Sequence, residues 1–177
     1  MKAIFLIGYM GSGKTTLGQE LAQVMGLRFV DLDDFIENRC QMSISDLFAS
    51  RGESGFRSVE REMLAEVALM EDVVVACGGG TPCYHGNMEL MNAAGTTVWL
   101  EVAAERLASR LCLPGMREKR PLIAGKSQSE VEEYVSKALV GRVPHYALAQ
   151  IRFDATDIET AETNHATAVR LANLLKN

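Results

Sequence analysis

Residues 2–25 read KAIFLIGYMGSGKTTLGQELAQVM. Positions 2–7 are an apolar run that stops at a glycine, the pattern of a strand buried on both faces. From Lys14 the apolar residues Leu17, Leu21, Ala22, Val24 and Met25 return at helical spacing, and Gly26 supplies the stop. Between strand and helix lies Gly8-Tyr-Met-Gly-Ser-Gly-Lys14-Thr15, which fits the pattern GxxxxGK followed by Ser or Thr in the strand-to-helix setting that gives the pattern its meaning. Glycines there let backbone N–H groups converge on an anion, and the N-terminal end of the following helix adds its positive dipole. Gly11, Ser12, Gly13 and Thr16 complete the loop, Lys14 offers a point charge to β- and γ-phosphates, and Thr15 offers a hydroxyl to Mg²⁺. A plain glycine-rich turn is the alternative, and the match at every fixed position, with both flanks in place, argues against it.

Working outward, the pattern alternates. Strands are expected at 27–32, 73–77, 96–102 and 151–153, and helices at 33–39, from the 43–46 capping box, and at 54–70. Pro82 opens a helix that ends before Gly95, and others span 103–112, 129–150 with an interruption near Pro144, and 161–176. Short apolar strands separated by helices imply βαβ units and a parallel sheet covered on both faces. Segment 113–125 breaks the pattern with two prolines, two glycines and the run Arg117-Glu-Lys-Arg120, and reads as an exposed mobile loop. At 177 residues the chain has the length of one domain. With 47% hydrophobic and 23% charged residues, it falls outside the disordered and fibrous classes.

No apolar run reaches the ~18 residues of a membrane span, and residues 1–7 lack the long apolar region of a signal peptide, so a cytoplasmic location is expected. A net charge of −5 disfavours nucleic acid or an anionic membrane as the main partner. Cys40, Cys77, Cys83 and Cys112 form no CxxC pair, and the three histidines form no metal-binding pattern; free thiols in a reducing compartment are the expectation.

The second strand ends in Asp31-Leu32-Asp33-Asp34, at the carboxyl end where parallel sheets bind ligands. Strand alternation would point Asp31 and Asp33 to one side, one toward Mg²⁺ and one toward an acceptor hydroxyl. A helix N-cap by Asp33 or Asp34 is the competing reading. Arg57 and Glu60 share a helical face, and two readings stand: a surface ion pair, or a clamp on an anionic substrate. Three successive glycines at 78–80 imply close backbone approach by a ligand. Arg117, Arg120 and Arg142 add candidate cations, in the manner of an arginine-bearing lid.

This ordered set resembles the shikimate kinase family, small P-loop kinases of the nucleoside monophosphate kinase structural class. The pieces are GYMGSGKTTLGQELA, FVDLDDFIE, SISDLF with GESGFRSVE, CGGG, KRPLI and GRVPHY, spread over nearly the whole chain. The resemblance implies a three-layer α/β/α fold with a five-stranded parallel sheet. It implies a single domain over 1–177, with substrate-binding helices at about 33–61 and a lid at about 113–126. It implies transfer of the γ-phosphoryl of ATP, with Mg²⁺, to the 3-hydroxyl of shikimate in chorismate and aromatic amino acid biosynthesis, by a monomer. Asp33 would bond the acceptor hydroxyl, Arg57 and Arg142 would grip the carboxylate, Gly79 would offer backbone, and Glu60 would orient Arg57. Asp31 and Thr15 would serve the metal, Arg110 would lie against adenine, and Arg120, ahead of Arg117, would reach the phosphates. Met10, Phe48, Phe56 and Pro121 would wall the ring. Cys77 stands where the family commonly has Thr, and Gln41 where a glycine is usual. A gluconate or nucleoside monophosphate kinase, and a nucleotide-binding switch without catalysis, are the rival readings; the first leaves Arg57, Arg142 and the triple glycine unexplained, and the second is opposed by the presence of Lys14, Asp33 and Arg57.

Overall fold

The structure, a computed structural model, describes residues 1–115 and 123–176. Five strands form one all-parallel sheet: β1 (Ala3–Ile7), β2 (Arg28–Asp31), β3 (Val73–Ala76), β4 (Gly95–Glu101) and β5 (Ile151–Asp154), in the order β2-β3-β1-β4-β5. Every residue of β1 and β3 is buried, which requires helices on both faces and accounts for their continuous Val, Ile and Ala runs. The helices are α1 (Lys14–Met25), α2 (Leu32–Cys40), α3 (Ile44–Val67), α4 (Asn87–Ala94), α5 (Ala104–Leu111), α6 (Gln128–Tyr146) and α7 (Ala161–Leu175). Among them α1 packs on α7, α5 on α6 and α2 on α3. From β1 the chain leaves toward β2 and β3, then crosses to β4 and β5. The end of β1 is therefore the point where strand order reverses, the place where such sheets bind ligands.

Several expected elements are redrawn. The helix opening at 43–46 and the one expected at 54–70 are a single α3 kinked at Gly52, whose φ of 68° and ψ of 180° lie outside helical values. Ser43 caps it by accepting from the Asp46 N–H at 3.1 Å, while its hydroxyl donates to the Asp46 carboxylate at 2.7 Å. The helix expected from Pro82 to Gly95 splits into a 3₁₀ turn, Thr81–Cys83, and α4, because His85 and Gly86 take φ of 50° and 65° between them. Pro144 does not interrupt α6, which continues to Tyr146 before a turn. Proline removes the hydrogen bond to the Val140 carbonyl, and Val140 is 78% exposed, so water can take its place.

Candidate active site

The phosphate loop forms as the sequence requires. Gly13 caps α1 with φ 92° and ψ 16°, a left-handed conformation, and a Cβ there would come within 2.9 Å of Ile158. Ser12 is buried, with its N–H donating to the Tyr9 carbonyl at 3.1 Å. Lys14 Nζ reaches back to donate to the carbonyls of Gly8 and Tyr9, each at 2.9 Å. Burial in the cleft pulls its ammonium down to about 8, against the pull of the nearby Asp33 carboxylate.

The carboxylates sit beside the loop, for a different reason from the alternation argument. The strand ends at Asp31, and Asp33 already lies in the first turn of α2. Asp31, not Asp33 or Asp34, is the N-cap: its Oδ1 accepts from the Asp33 N–H at 3.1 Å, and its Oδ2 accepts from the Thr15 hydroxyl at 2.9 Å. A hydroxyl and a carboxylate side by side are hard oxygen donors of the kind Mg²⁺ takes when phosphates and water fill its other positions. Asp33 opens to the cleft, yet the surrounding protein, followed by Asp31 and Glu60, pushes its carboxyl up to about 6. Both aspartates line a cavity of about 680 Å³ with Gly11, Gly13, Lys14, Thr15 and Thr16.

The triple glycine has close neighbours within the protein itself. A Cβ on Gly78 would meet the Thr81 hydroxyl at 2.9 Å and Asp33 Oδ1 at 3.2 Å; on Gly79, Arg142 Nη1 at 3.3 Å; on Gly80, Arg57 Nη2 at 2.7 Å. One stretch of bare backbone is thus flanked in turn by a carboxylate and two guanidinium groups, drawn from α2, α6 and α3. Arg57 pairs with Glu60 at 2.8 Å, and Glu60, 1% exposed, also accepts from the Thr81 hydroxyl at 2.6 Å. Phe48 and Phe56 stack with centroids 4.3 Å apart beside Arg57. Arg142 lies 4.9 Å over the Tyr9 ring.

Arg110 carries a duty that its place in the sequence did not suggest. Its guanidinium donates to the carbonyls of Gly11 at 3.2 Å, Ala155 at 3.2 Å and Thr156 at 2.8 Å, tying the chain after β5 to the phosphate loop. Tyr146, fully buried, donates to the Gly79 carbonyl at 2.6 Å. Only the GRVPHY segment hinted at it, since nothing in the spacing of residues 79 and 146 links them. Cys77 is 2% exposed, its Sγ 3.7 Å from Met91 Sδ, and burial raises its thiol far above the ordinary range. Arg117, Arg120 and Pro121 lie outside the described residues.

A parallel sheet reversing at a phosphate loop, with carboxylates at the adjacent strand end and two guanidinium groups beside the neighbouring triple glycine, defines a P-loop phosphotransferase. The shikimate kinase family model matches residues 10–172. The chain is 48% identical to the shikimate kinase of Parabacteroides distasonis over 99% of its own length and 100% of that protein's. It superposes on the crystal structure of shikimate kinase from Bacteroides thetaiotaomicron with a TM-score of 0.93 at 43% identity, covering 99% of both chains. On the Acinetobacter baumannii shikimate kinase in complex with shikimate, the TM-score is 0.84 at 29% identity, covering 99% of this chain and 93% of that one. The chain belongs to the shikimate kinase family.

Proposed function

We propose that this chain transfers the γ-phosphoryl of ATP to the 3-hydroxyl of shikimate, giving shikimate 3-phosphate and ADP, in the route to chorismate and the aromatic amino acids. The observation that carries the reading is the row along the triple glycine: Asp33 beside Gly78, Arg142 beside Gly79, Arg57 beside Gly80. Shikimate is a small ring with a carboxylate at one end and hydroxyls at the other. Arg57 and Arg142 suit the carboxylate as fixed, always-charged donors of charge-assisted hydrogen bonds. Asp33 suits the reacting hydroxyl, which it holds toward the phosphate loop and whose proton it accepts. Gly79 offers its backbone to the ring, and Phe48, Phe56 and Met10 wall the pocket.

Gly11, Ser12, Gly13, Lys14, Thr15 and Thr16 hold the triphosphate, and Arg110 borders the base. Thr15 and Asp31 hold Mg²⁺, which when bound neutralises charge on the phosphates. Arg120 is assigned to the phosphates on sequence alone, within a lid of a single catalytic domain. Phosphoryl transfer asks for positioning and charge stabilisation more than covalent chemistry, and this cleft supplies both. Four unpaired thiols fit a reducing cytoplasm, where we place the enzyme as a monomer.

Crystals grown with shikimate and a non-hydrolysable ATP analogue test the assignment. The ring carboxylate is expected within hydrogen-bond distance of Arg57 and Arg142, with the 3-hydroxyl on Asp33. A carboxylate bound elsewhere overturns these roles.

A further inference from the structure

Arg57 has a second set of neighbours that the ordered motifs did not suggest. Its Nη1 is committed to Glu60 at 2.8 Å and its Nε is buried with no partner, whereas Nη2 carries only a longer ion-pair contact. Glu53, one turn earlier on α3, forms a loose ion pair with that Nη2, its Oε1 3.6 Å away and just beyond hydrogen-bond range. The same oxygen accepts from the Tyr84 hydroxyl at 2.9 Å, and the Tyr84 ring centre lies 4.2 Å from the Arg57 guanidinium carbon. Tyr84 reaches α3 because the chain breaks after the 3₁₀ turn, where His85 and Gly86 take positive φ. Glu53 is an alternative anion for the nitrogen that a substrate carboxylate must use, and with its side chain 60% exposed it is free to turn toward it.

We infer that Tyr84 is a positioning residue: its hydroxyl keeps Glu53 from closing its loose ion pair with Arg57 into a direct hydrogen bond, so that Nη2 can turn to the substrate carboxylate while the Tyr84 ring fixes the guanidinium plane. This rests on Arg57 being the carboxylate grip proposed above. Without the phenol hydroxyl, Glu53 Oε1 loses its 2.9 Å partner and Arg57 becomes the nearest donor. Glu53 then competes with substrate.

Steady-state kinetics on the full chain test this. Tyr84→Phe keeps the ring and removes the hydroxyl. It is expected to raise KM for shikimate roughly three- to tenfold, the ordinary worth of one hydrogen bond, with a much smaller change in kcat. The double variant Glu53→Gln with Tyr84→Phe should return KM to the wild-type value or below, a rescue that a merely structural role for Tyr84 does not produce. A wild-type KM in Tyr84→Phe, or a raised KM that the double variant keeps, overturns the inference. Arg57→Ala separates the two claims. If it leaves KM unchanged, the grip itself is wrong; if it raises KM while Tyr84→Phe does not, only the role of Tyr84 is lost.

Discussion

Glu60 is 1% exposed and holds Arg57 at 2.8 Å through one carboxylate oxygen while the other accepts from Thr81 at 2.6 Å. Both oxygens of a buried carboxylate are thus satisfied, and the arginine they fix lies against Gly80. Removing one partner of a buried pair leaves the other charge uncompensated, at a cost of about 3–5 kcal/mol. Glu60→Ala is therefore expected to lower stability by that order in urea denaturation and to raise the shikimate KM. Glu60→Gln, which keeps an oxygen for Arg57 or Thr81, should lose less of both. Equal stability of Glu60→Ala and wild type contradicts this.

Gly80 answers to Arg57 as closely as Glu60 does. A Cβ would sit 2.7 Å from Nη2 and 3.1 Å from Cζ, so Gly80→Ala must displace the guanidinium. Loss of a charge-assisted contact worth about 1.5–3 kcal/mol corresponds to a shikimate KM raised roughly 10- to 150-fold. The ATP KM should change much less, because the phosphate loop is contributed by other residues. A KM for ATP that rises in step with that for shikimate contradicts it.

Lys14 carries a pH signature. Below pH 8 it is charged in the folded and unfolded chains alike, and burial penalises the folded one; above its ordinary value of 10.5 it is neutral in both. Its contribution to the unfolding free energy therefore rises between those limits as pH rises. Lys14→Met should raise the Tm of the protein measured without nucleotide at pH 7, with the gain shrinking toward pH 10.5, and should abolish phosphoryl transfer. Calorimetry at several pH values reads this directly; a Tm that falls on substitution contradicts it.

Gln41 takes φ 51°, ψ 39°, closing α2 in the left-handed region that glycine adopts most easily. Its Nε2 donates to the Asn38 carbonyl at 2.6 Å, which offsets part of the strain. Gln41→Gly should stabilise the protein by up to about 1 kcal/mol, measured by urea midpoint, because a side chain in that conformation costs about 1–2 kcal/mol. A lower midpoint contradicts it.

Thiol labelling separates the cysteines. Cys77, 2% exposed against Met91, should resist an aromatic disulfide reagent in the folded protein, whereas the partly exposed Cys40, Cys83 and Cys112 should react. Mass spectrometry of the labelled chain checks this, and modification of Cys77 before unfolding contradicts it.

What the sequence made legible was whatever local pattern decides. The phosphate loop needs only a strand, glycines and Lys14 in order, and the parallel sheet follows from short apolar runs between helices. Boundaries set by single residues were harder. Pro144 reads as a break, but an exposed Val140 tolerates the lost hydrogen bond, and Asp31 rather than its neighbours became the cap because β2 ends one residue sooner than its apolar run. Contacts between distant positions were invisible. Tyr146 on Gly79, Thr81 on Glu60 and Tyr84 on Glu53 join residues 67, 21 and 31 positions apart, and no spacing rule encodes them.

The central claim is that the cations facing the triple glycine select shikimate as phosphoryl acceptor. A coupled assay of ADP release with ATP and, separately, shikimate, gluconate and AMP tests it most directly. ADP release is expected with shikimate alone, and its loss in Asp33→Asn with ATP binding retained. Turnover with gluconate or AMP matching that with shikimate contradicts the account.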